Sequence, residues 1–200
     1  WSSDVCSSDL LIKRLSAMTV SPLLAKSIKL LPKPARRILN NANDRIFRSR
    51  DLVLAEQTPF EVVHSNDLVK LRHYLPITQS EVMVDGVPMT VNKNTHKVPL
   101  VIVPPLAVNM LIYDLFPERS LVKYFVAQGF DVYLIDWGMP TRKHTHYNLN
   151  TYVSEFMPEF LAKVREHSGQ QQLSLHGWSM GGIFTLCYTA LTHDPDIRNL

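Results

Sequence analysis

Leu173-Ser174-Leu175-His176-Gly177-Trp178-Ser179-Met180-Gly181-Gly182-Ile183-Phe184-Thr185-Leu186 joins an apolar strand pattern to an apolar helix pattern through a serine flanked by glycines. The central Gly177-Trp178-Ser179-Met180-Gly181 reads as a nucleophile elbow, a sharp strand-to-helix turn that lifts a serine hydroxyl clear of the sheet. Such a turn crowds the backbone. Gly177 and Gly181 are expected to spare it Cβ collisions, and Gly182 to let the following helix approach the strand. The helix start also leaves N–H groups free, that of Met180 foremost, where a tetrahedral oxyanion forms.

Outward from the elbow, strand and helix patterns alternate. Residues 61–64 and 68–75 have strand character with Asn66-Asp67 as their turn, and residues 81–84 and 87–91 flank Asp85-Gly86, a two-residue hairpin signal. Both pairs are expected at an antiparallel edge. Residues 98–103 are continuously apolar, which suits a strand buried on both faces of a parallel sheet. A helix over 120–128 stops at Gly129, a strand follows over 131–135, and a helix over 151–168 carries Val153, Phe156, Met157, Phe160, Leu161 and Val164 on one stripe before Gly169 ends it. Residues 172–175 feed the elbow and 182–192 leave it as a helix. The order predicts a doubly wound α/β fold with a mostly parallel sheet, truncated after the elbow helix.

Composition narrows the class. With 46% hydrophobic and 20% charged residues the chain is ordinary globular material. No stretch reaches the roughly 18 to 20 apolar residues of a membrane span, and the expected compartment is the cytoplasm. Residues 1–10, WSSDVCSSDL, look like a translated sequencing adapter and are set aside, which leaves Cys187 as a buried small hydrophobe and excludes a disulfide framework. Residues 11–57 form a basic, helical arm: between Leu11 and Arg50 stand ten basic residues and one acid, Asp44. Its apolar side, Leu11, Leu15, Met18, Leu23, Leu24, Ile28 and Leu31, is interrupted by Pro22, Pro32 and Pro34. Such a segment suits packing on a domain or an anionic membrane or granule surface. With Phe47 its single aromatic, nucleic acid is not an expected partner. Residues 58–200 are the first part of the α/β domain.

A serine nucleophile needs a histidine base and a carboxylate, which in this architecture follow the serine in the chain. His193 lies at the far end of the elbow helix, about 20 Å away at 1.5 Å per residue. Neither it nor Asp194 and Asp196 can serve. The catalytic acid and histidine are therefore expected outside this chain, which reads as a gene fragment inactive by itself. The other half of the oxyanion hole is expected from the loop Pro104-Pro105-Leu106-Ala107-Val108-Asn109, through the N–H of Ala107. Asp136, in Asp136-Trp137-Gly138, is assigned a loop role because it precedes the elbow. His144 and His146 lack a third ligand, and no metal is expected.

Several blocks together resemble polyhydroxyalkanoate synthases, the two-subunit class III type in particular. They are Thr58-Pro59-Phe60-Glu61-Val62-Val63, Pro104-Pro105, the run from Asp114-Leu115-Phe116-Pro117 to Val122, and Gly129-Phe130-Asp131-Val132-Tyr133-Leu134-Ile135-Asp136-Trp137-Gly138. The resemblance implies an α/β-hydrolase-fold acyltransferase that uses hydroxyacyl coenzyme A without a further cofactor. It also implies a second synthase subunit or a homodimer, and a place at the polyester granule surface. Two positions depart from the family pattern: Ser179 stands where the family has cysteine, and Asn109 falls one place after the family's asparagine, at which Val108 stands. An oxyester on serine is more stable than a thioester, so water competes as acceptor. Acyl transfer from 3-hydroxyacyl coenzyme A through an acyl-serine is expected, whereas polymerisation is less favoured than on the family's cysteine. A serine esterase or polyester depolymerase, and a non-catalytic surface protein using the basic arm, stand as alternatives.

Overall fold

The computed structural model describes residues 32–47, 54–106 and 108–200, and the chain divides into two compact units, Trp1–Leu54 and Ala55–Leu200. In the first unit the described element is helix α1 (Lys33–Phe47), with Ile38, Leu39, Ile46 and Phe47 exposed among Lys33, Arg37 and Arg45. Pro34 sits in its first turn, where a missing N–H costs nothing, so it starts the helix rather than interrupting it. The rest of the basic arm before residue 32, together with Cys6, lies outside the described residues.

The second unit is built on a six-stranded sheet. Its strands are β1 (Phe60–Asn66), β2 (Val69–Tyr74), β5 (Leu100–Val103), β8 (Val132–Asp136), β9 (Leu173–Gly177) and β10 (Ile197–Asn199), in the order β1-β2-β8-β5-β9-β10. β8, β5, β9 and β10 run parallel, while β2 pairs antiparallel with both β1 and β8. From β5 the chain crosses through α2 (Leu121–Ala127) to β8 on one side. It then crosses back through α3 (Met157–Ser168) to β9 on the other. That reversal makes β5 the topological switch point, with the ligand crevice outside the carboxyl ends of β5 and β9.

The continuous apolar runs are explained by burial on both faces. Val101, Val103, Tyr133 and Ile135 face α3 and α4 (Met180–Thr192), whereas Ile102, Val132 and Leu134 face Val122 and Val126 of α2. Phe160, Leu161 and Val164 of α3 are wholly buried, each contributing roughly 1.5–3 kcal/mol. Cys187 is half-buried beside this core rather than inside it.

Three expectations need correction. The hairpin of β3 (Glu81–Val84) and β4 (Val87–Thr90) forms a two-stranded sheet of its own, as do β6 (Asp114–Phe116) and β7 (Arg119–Ser120); β1 and β2, not this hairpin, flank the main sheet. The β1–β2 turn is at Asp67-Leu68, one residue later than read, with Asp67 at φ 51°. The long helix over 151–168 is two helices. Its start, Thr151–Phe156, is a π-helix whose bond runs from Met157 N–H to the Tyr152 carbonyl, and α3 continues it. Pro158 explains this, because it has no N–H to return to the residue four before it. In addition, one more strand of the main sheet, β10, follows the elbow helix, after which the fold was expected to break off.

α3, α4 and β10 are tied at one corner. Arg165 of α3 donates to Asp194 at 2.7 Å, and the same carboxylate accepts the Tyr188 hydroxyl at 2.7 Å and the Asp196 N–H at 3.0 Å. Burial pushes the Asp194 carboxyl up, but these donors outweigh it and hold it below the usual carboxylate range. A carboxyl more acidic folded than unfolded stabilises the fold fully above its unfolded pKa of roughly 4, and loses that contribution as pH falls through the lower folded value. Asp194→Asn is expected to cost about 1–3 kcal/mol at pH 7 and to flatten the acid limb of the stability profile. Thermal unfolding at pH 7 and in the acid limb checks both; an unchanged acid limb contradicts the assignment.

Candidate active site

β9 ends at Gly177 and α4 starts at Met180, so Trp178 and Ser179 turn the chain. Ser179 takes φ 55° and ψ −123°, a conformation that costs a residue bearing a Cβ about 1–3 kcal/mol. The turn closes through Gly181 N–H to the Trp178 carbonyl at 2.9 Å and Gly182 N–H to the Ser179 carbonyl at 3.0 Å. The hydroxyl of Ser179 is exposed and, among the described residues, makes no hydrogen bond. Likewise, no described partner takes up the Met180 N–H, the first amide of α4.

The glycines divide the steric work unevenly. A Cβ on Gly181 would stand 1.9 Å from the Val103 carbonyl oxygen, and one on Gly177 2.6 Å from Gly182 Cα. A Cβ on Gly182 would meet nothing nearer than the Gly177 oxygen at 3.4 Å. Close approach of helix to strand therefore rests on Gly181 and Gly177, and the role read for Gly182 passes to them.

The rim around the serine is fixed by an indole. Trp137, just past β8, donates its Nε1–H to the Pro104 carbonyl at 2.8 Å and so holds the start of the loop after β5. Its ring stands edge-on to Tyr152 at 5.3 Å and to Phe184 of α4 at 5.8 Å. Sequence reading quoted this tryptophan without giving it a task, although its place directly after a buried strand marks it as a rim residue. Ala107, the expected second oxyanion donor, lies outside the described residues. Asn109 accepts the Leu111 N–H at 3.0 Å and caps a short 3-10 turn, Met110–Tyr113. Tyr113 at the end of that turn packs edge-on against Trp178 at 6.4 Å. Burial pushes its phenol up to about 12, and its hydroxyl has no partner among the described residues.

The other polar candidates are committed elsewhere. Asp136 accepts two guanidinium N–H groups of Arg72, one at 3.0 Å, and the Gly138 N–H at 3.0 Å. Asp136 is the last residue of β8 rather than part of a loop or a helix cap, and its bonds tie that strand to β2. Burial lowers the Arg72 guanidinium, but Glu56 and Asp136 more than reverse this and keep it charged. His144 accepts the Thr141 N–H at 2.9 Å and pairs with Asp67 at 3.0 Å, stapling a loop rather than joining His146 at a metal. His193 ends α4 in a left-handed conformation, a full helix away from the serine. His176 is lowered by burial, and its ring meets Phe125. Thr58 and Asp114, from two blocks far apart in the chain, meet in a buried pair of bonds at 2.7 and 3.0 Å. Among the described residues no histidine or carboxylate hydrogen-bonds Ser179.

Comparison with known proteins follows the same outline. The family model for the alpha/beta hydrolase fold matches residues 98–200. The chain is similar to the poly(3-hydroxyalkanoate) polymerase subunit PhaC of Haloferax mediterranei, 38% identical over 144 residues, covering 72% of this chain and 26% of that protein. The same subunit of Haloarcula marismortui is 38% identical over 144 residues, with 72% and 29% covered, and that of Allochromatium vinosum is 34% identical over 144 residues, with 72% and 37% covered. The chain thus spans about a quarter to a third of the length of these relatives.

The distances at the elbow separate two glycines that a motif treats alike. Gly181→Ala is expected to destabilise the second unit by about 3 kcal/mol or more through overpacking against the β5 backbone. Gly182→Ala is expected to stay within about 1 kcal/mol of the parent. Chemical denaturation of the two variants measures the contrast, and equal effects contradict the steric assignment.

Proposed function

The chain belongs to the α/β-hydrolase fold family, and from that premise we propose that it carries the nucleophile of an acyltransferase that accepts 3-hydroxyacyl coenzyme A and works through an acyl-serine at Ser179. The observation that carries this reading is the strained, exposed serine at the carboxyl end of β9, beside the switch point of the sheet. Similarity to poly(3-hydroxyalkanoate) polymerases supports the substrate class.

In the proposed reaction Ser179 Oγ attacks the thioester carbonyl carbon while its proton passes to a base that the described residues do not supply. The oxyanion so formed is held by the Met180 N–H and by an amide of the loop after Pro105, proposed as that of Ala107. One such donor is worth about 2.7–4 kcal/mol in the transition state. Collapse expels the coenzyme A thiolate, which takes up a proton, and leaves the acyl-serine. Attack by the hydroxyl of another hydroxyacyl unit then extends a polyester, whereas attack by water releases the hydroxy acid.

A second reading, a serine esterase or polyester depolymerase, is favoured by Ser179 itself. An alkoxide leaves less readily than a thiolate, so an acyl-serine is a poor donor for chain transfer between thioesters. The exposed basic helix α1 supports an anionic surface, such as that of a polyester granule, as a partner in either case. Among the described residues no helix is long and apolar enough to cross a membrane.

Incubation of the protein expressed from its complete gene with 3-hydroxybutyryl coenzyme A, following free coenzyme A and the acyl group together, separates the readings. Polymer supports the acyltransferase and free hydroxy acid the hydrolase. Ser179→Ala is expected to lower coenzyme A release at least a thousandfold, an order of magnitude set by the loss of other serine nucleophiles. Ser179→Cys is expected to raise polymer yield. Acyl label on another residue refutes the assignment of Ser179, and unchanged polymer yield in Ser179→Cys counts against the synthase reading.

A further inference from the structure

A second polar constellation lies at the other end of the sheet. Glu61 of β1, His73 of β2 and Tyr133 of β8 are register neighbours across three adjacent strands, so their side chains stand in a row. Tyr133 faces α3, and the last turn of that helix brings His167 over the row. The Glu61 Oε1 oxygen is 3.0 Å from His73 Nδ1 and 3.8 Å from His167 Nε2. All three ligand-capable atoms lie within 4.8 Å of one another.

The outer nitrogens of both rings are fixed from behind. His73 Nε2 is 2.9 Å from Asp131 Oδ1, and the ring stacks on Tyr133 with centroids 4.7 Å apart. His167 Nδ1 is 2.8 Å from the Tyr133 hydroxyl. Each imidazole therefore directs one nitrogen at Glu61 while an oxygen holds the other. Metal-binding histidines are oriented in this way. Around a tetrahedral zinc ion with bonds of about 2.0–2.2 Å, ligands stand about 3.4 Å apart, and the 3.0 and 3.8 Å separations bracket that value. Glu61 and His167 retain 52% and 36% side-chain exposure, which gives both the freedom to close on an ion and leaves a fourth position for water.

We propose that Glu61, His73 and His167 bind one zinc ion, with Asp131 and Tyr133 as the groups that orient the two histidines. Two imidazoles and one carboxylate suit zinc rather than magnesium or calcium, which favour all-oxygen shells. The site lies beside the amino-terminal end of β8, whereas Ser179 follows the carboxyl end of the parallel β9. The ion is structural: it joins the β1–β2 hairpin to the end of α3 and takes no part in chemistry at the serine.

The test uses the full chain with a purification tag free of histidine, stripped with chelator and titrated calorimetrically with zinc chloride. One equivalent is expected to bind, and cobalt chloride is expected to give the intense visible absorption of a tetrahedral centre. Glu61→Gln and His167→Gln, both at partly exposed positions, should weaken binding at least tenfold, and Asp131→Asn by about 10–100-fold. His146→Gln, on an exposed loop, should leave binding unchanged. Zinc should also raise the thermal unfolding midpoint of the parent chain and not that of Glu61→Gln. Absence of stoichiometric binding by the parent, or parental affinity in His167→Gln, overturns the proposal and reduces the cluster to an ion-pair network.

Discussion

A Cβ on residue 181 would stand 1.9 Å from the Val103 carbonyl oxygen, a tighter fit than at any other glycine of the chain. β5 pairs with β9 up to the level of Val103 and Gly177, so the end of the central strand and the first turn of α4 share one space. Because that space is free of side chain, the elbow can fold down onto β5 and raise Ser179 over the seam between the strands. The loop after β5 begins there too, and the Trp137 indole holds its first carbonyl. Phe184, one turn along α4, packs against the same indole. The strained backbone of Ser179 is therefore held by backbone contact, by pairing of β5 with β9 and by an aromatic wedge, each contributed by a different crossover of the chain.

The fold was legible wherever burial imposes a period. Apolar runs marked β5, β8 and β9, a stripe of six apolar residues marked the long helix, and Asp85-Gly86 marked its hairpin. What escaped reading depends on contacts between distant residues. The Asp85-Gly86 turn fixes the β3–β4 hairpin locally, whereas whether that hairpin joins the main sheet is decided by its pairing with distant strands. The turn at Ser179 and the crowding at Gly177 and Gly181 were legible because steric demands of a tight turn act within five residues. The Trp137–Pro104 bond, the Thr58–Asp114 pair and the Glu61–His73–His167 grouping were not. Each joins residues at least 12 positions apart that only sheet register or helix docking brings together.

Charge near the elbow is neutralised locally. Asp136, the last residue of β8, is paired with Arg72. Beside Ser179 the Met180 N–H, which no described partner takes up, offers an amide dipole. Dipoles fixed in advance stabilise a transient negative oxygen without reorganising when it forms. Such an arrangement suits the nucleophilic role proposed for Ser179.

The π-helix at Thr151–Phe156 sets an angular offset as well as a boundary. A turn closed by a bond to the fifth residue rather than the fourth holds one additional residue, so everything before it is rotated by about 100° relative to an uninterrupted α-helix. That rotation brings Tyr152 flat against Phe184, with planes inclined by 2°, and edge-on to Trp137, while Phe160 and Leu161 beyond Pro158 keep their own alignment with the sheet. In mechanical terms, Pro158 acts as a phase shifter. It lets a single helix mesh with two surfaces, the sheet and the elbow's aromatic wedge, that no constant helical pitch would fit together.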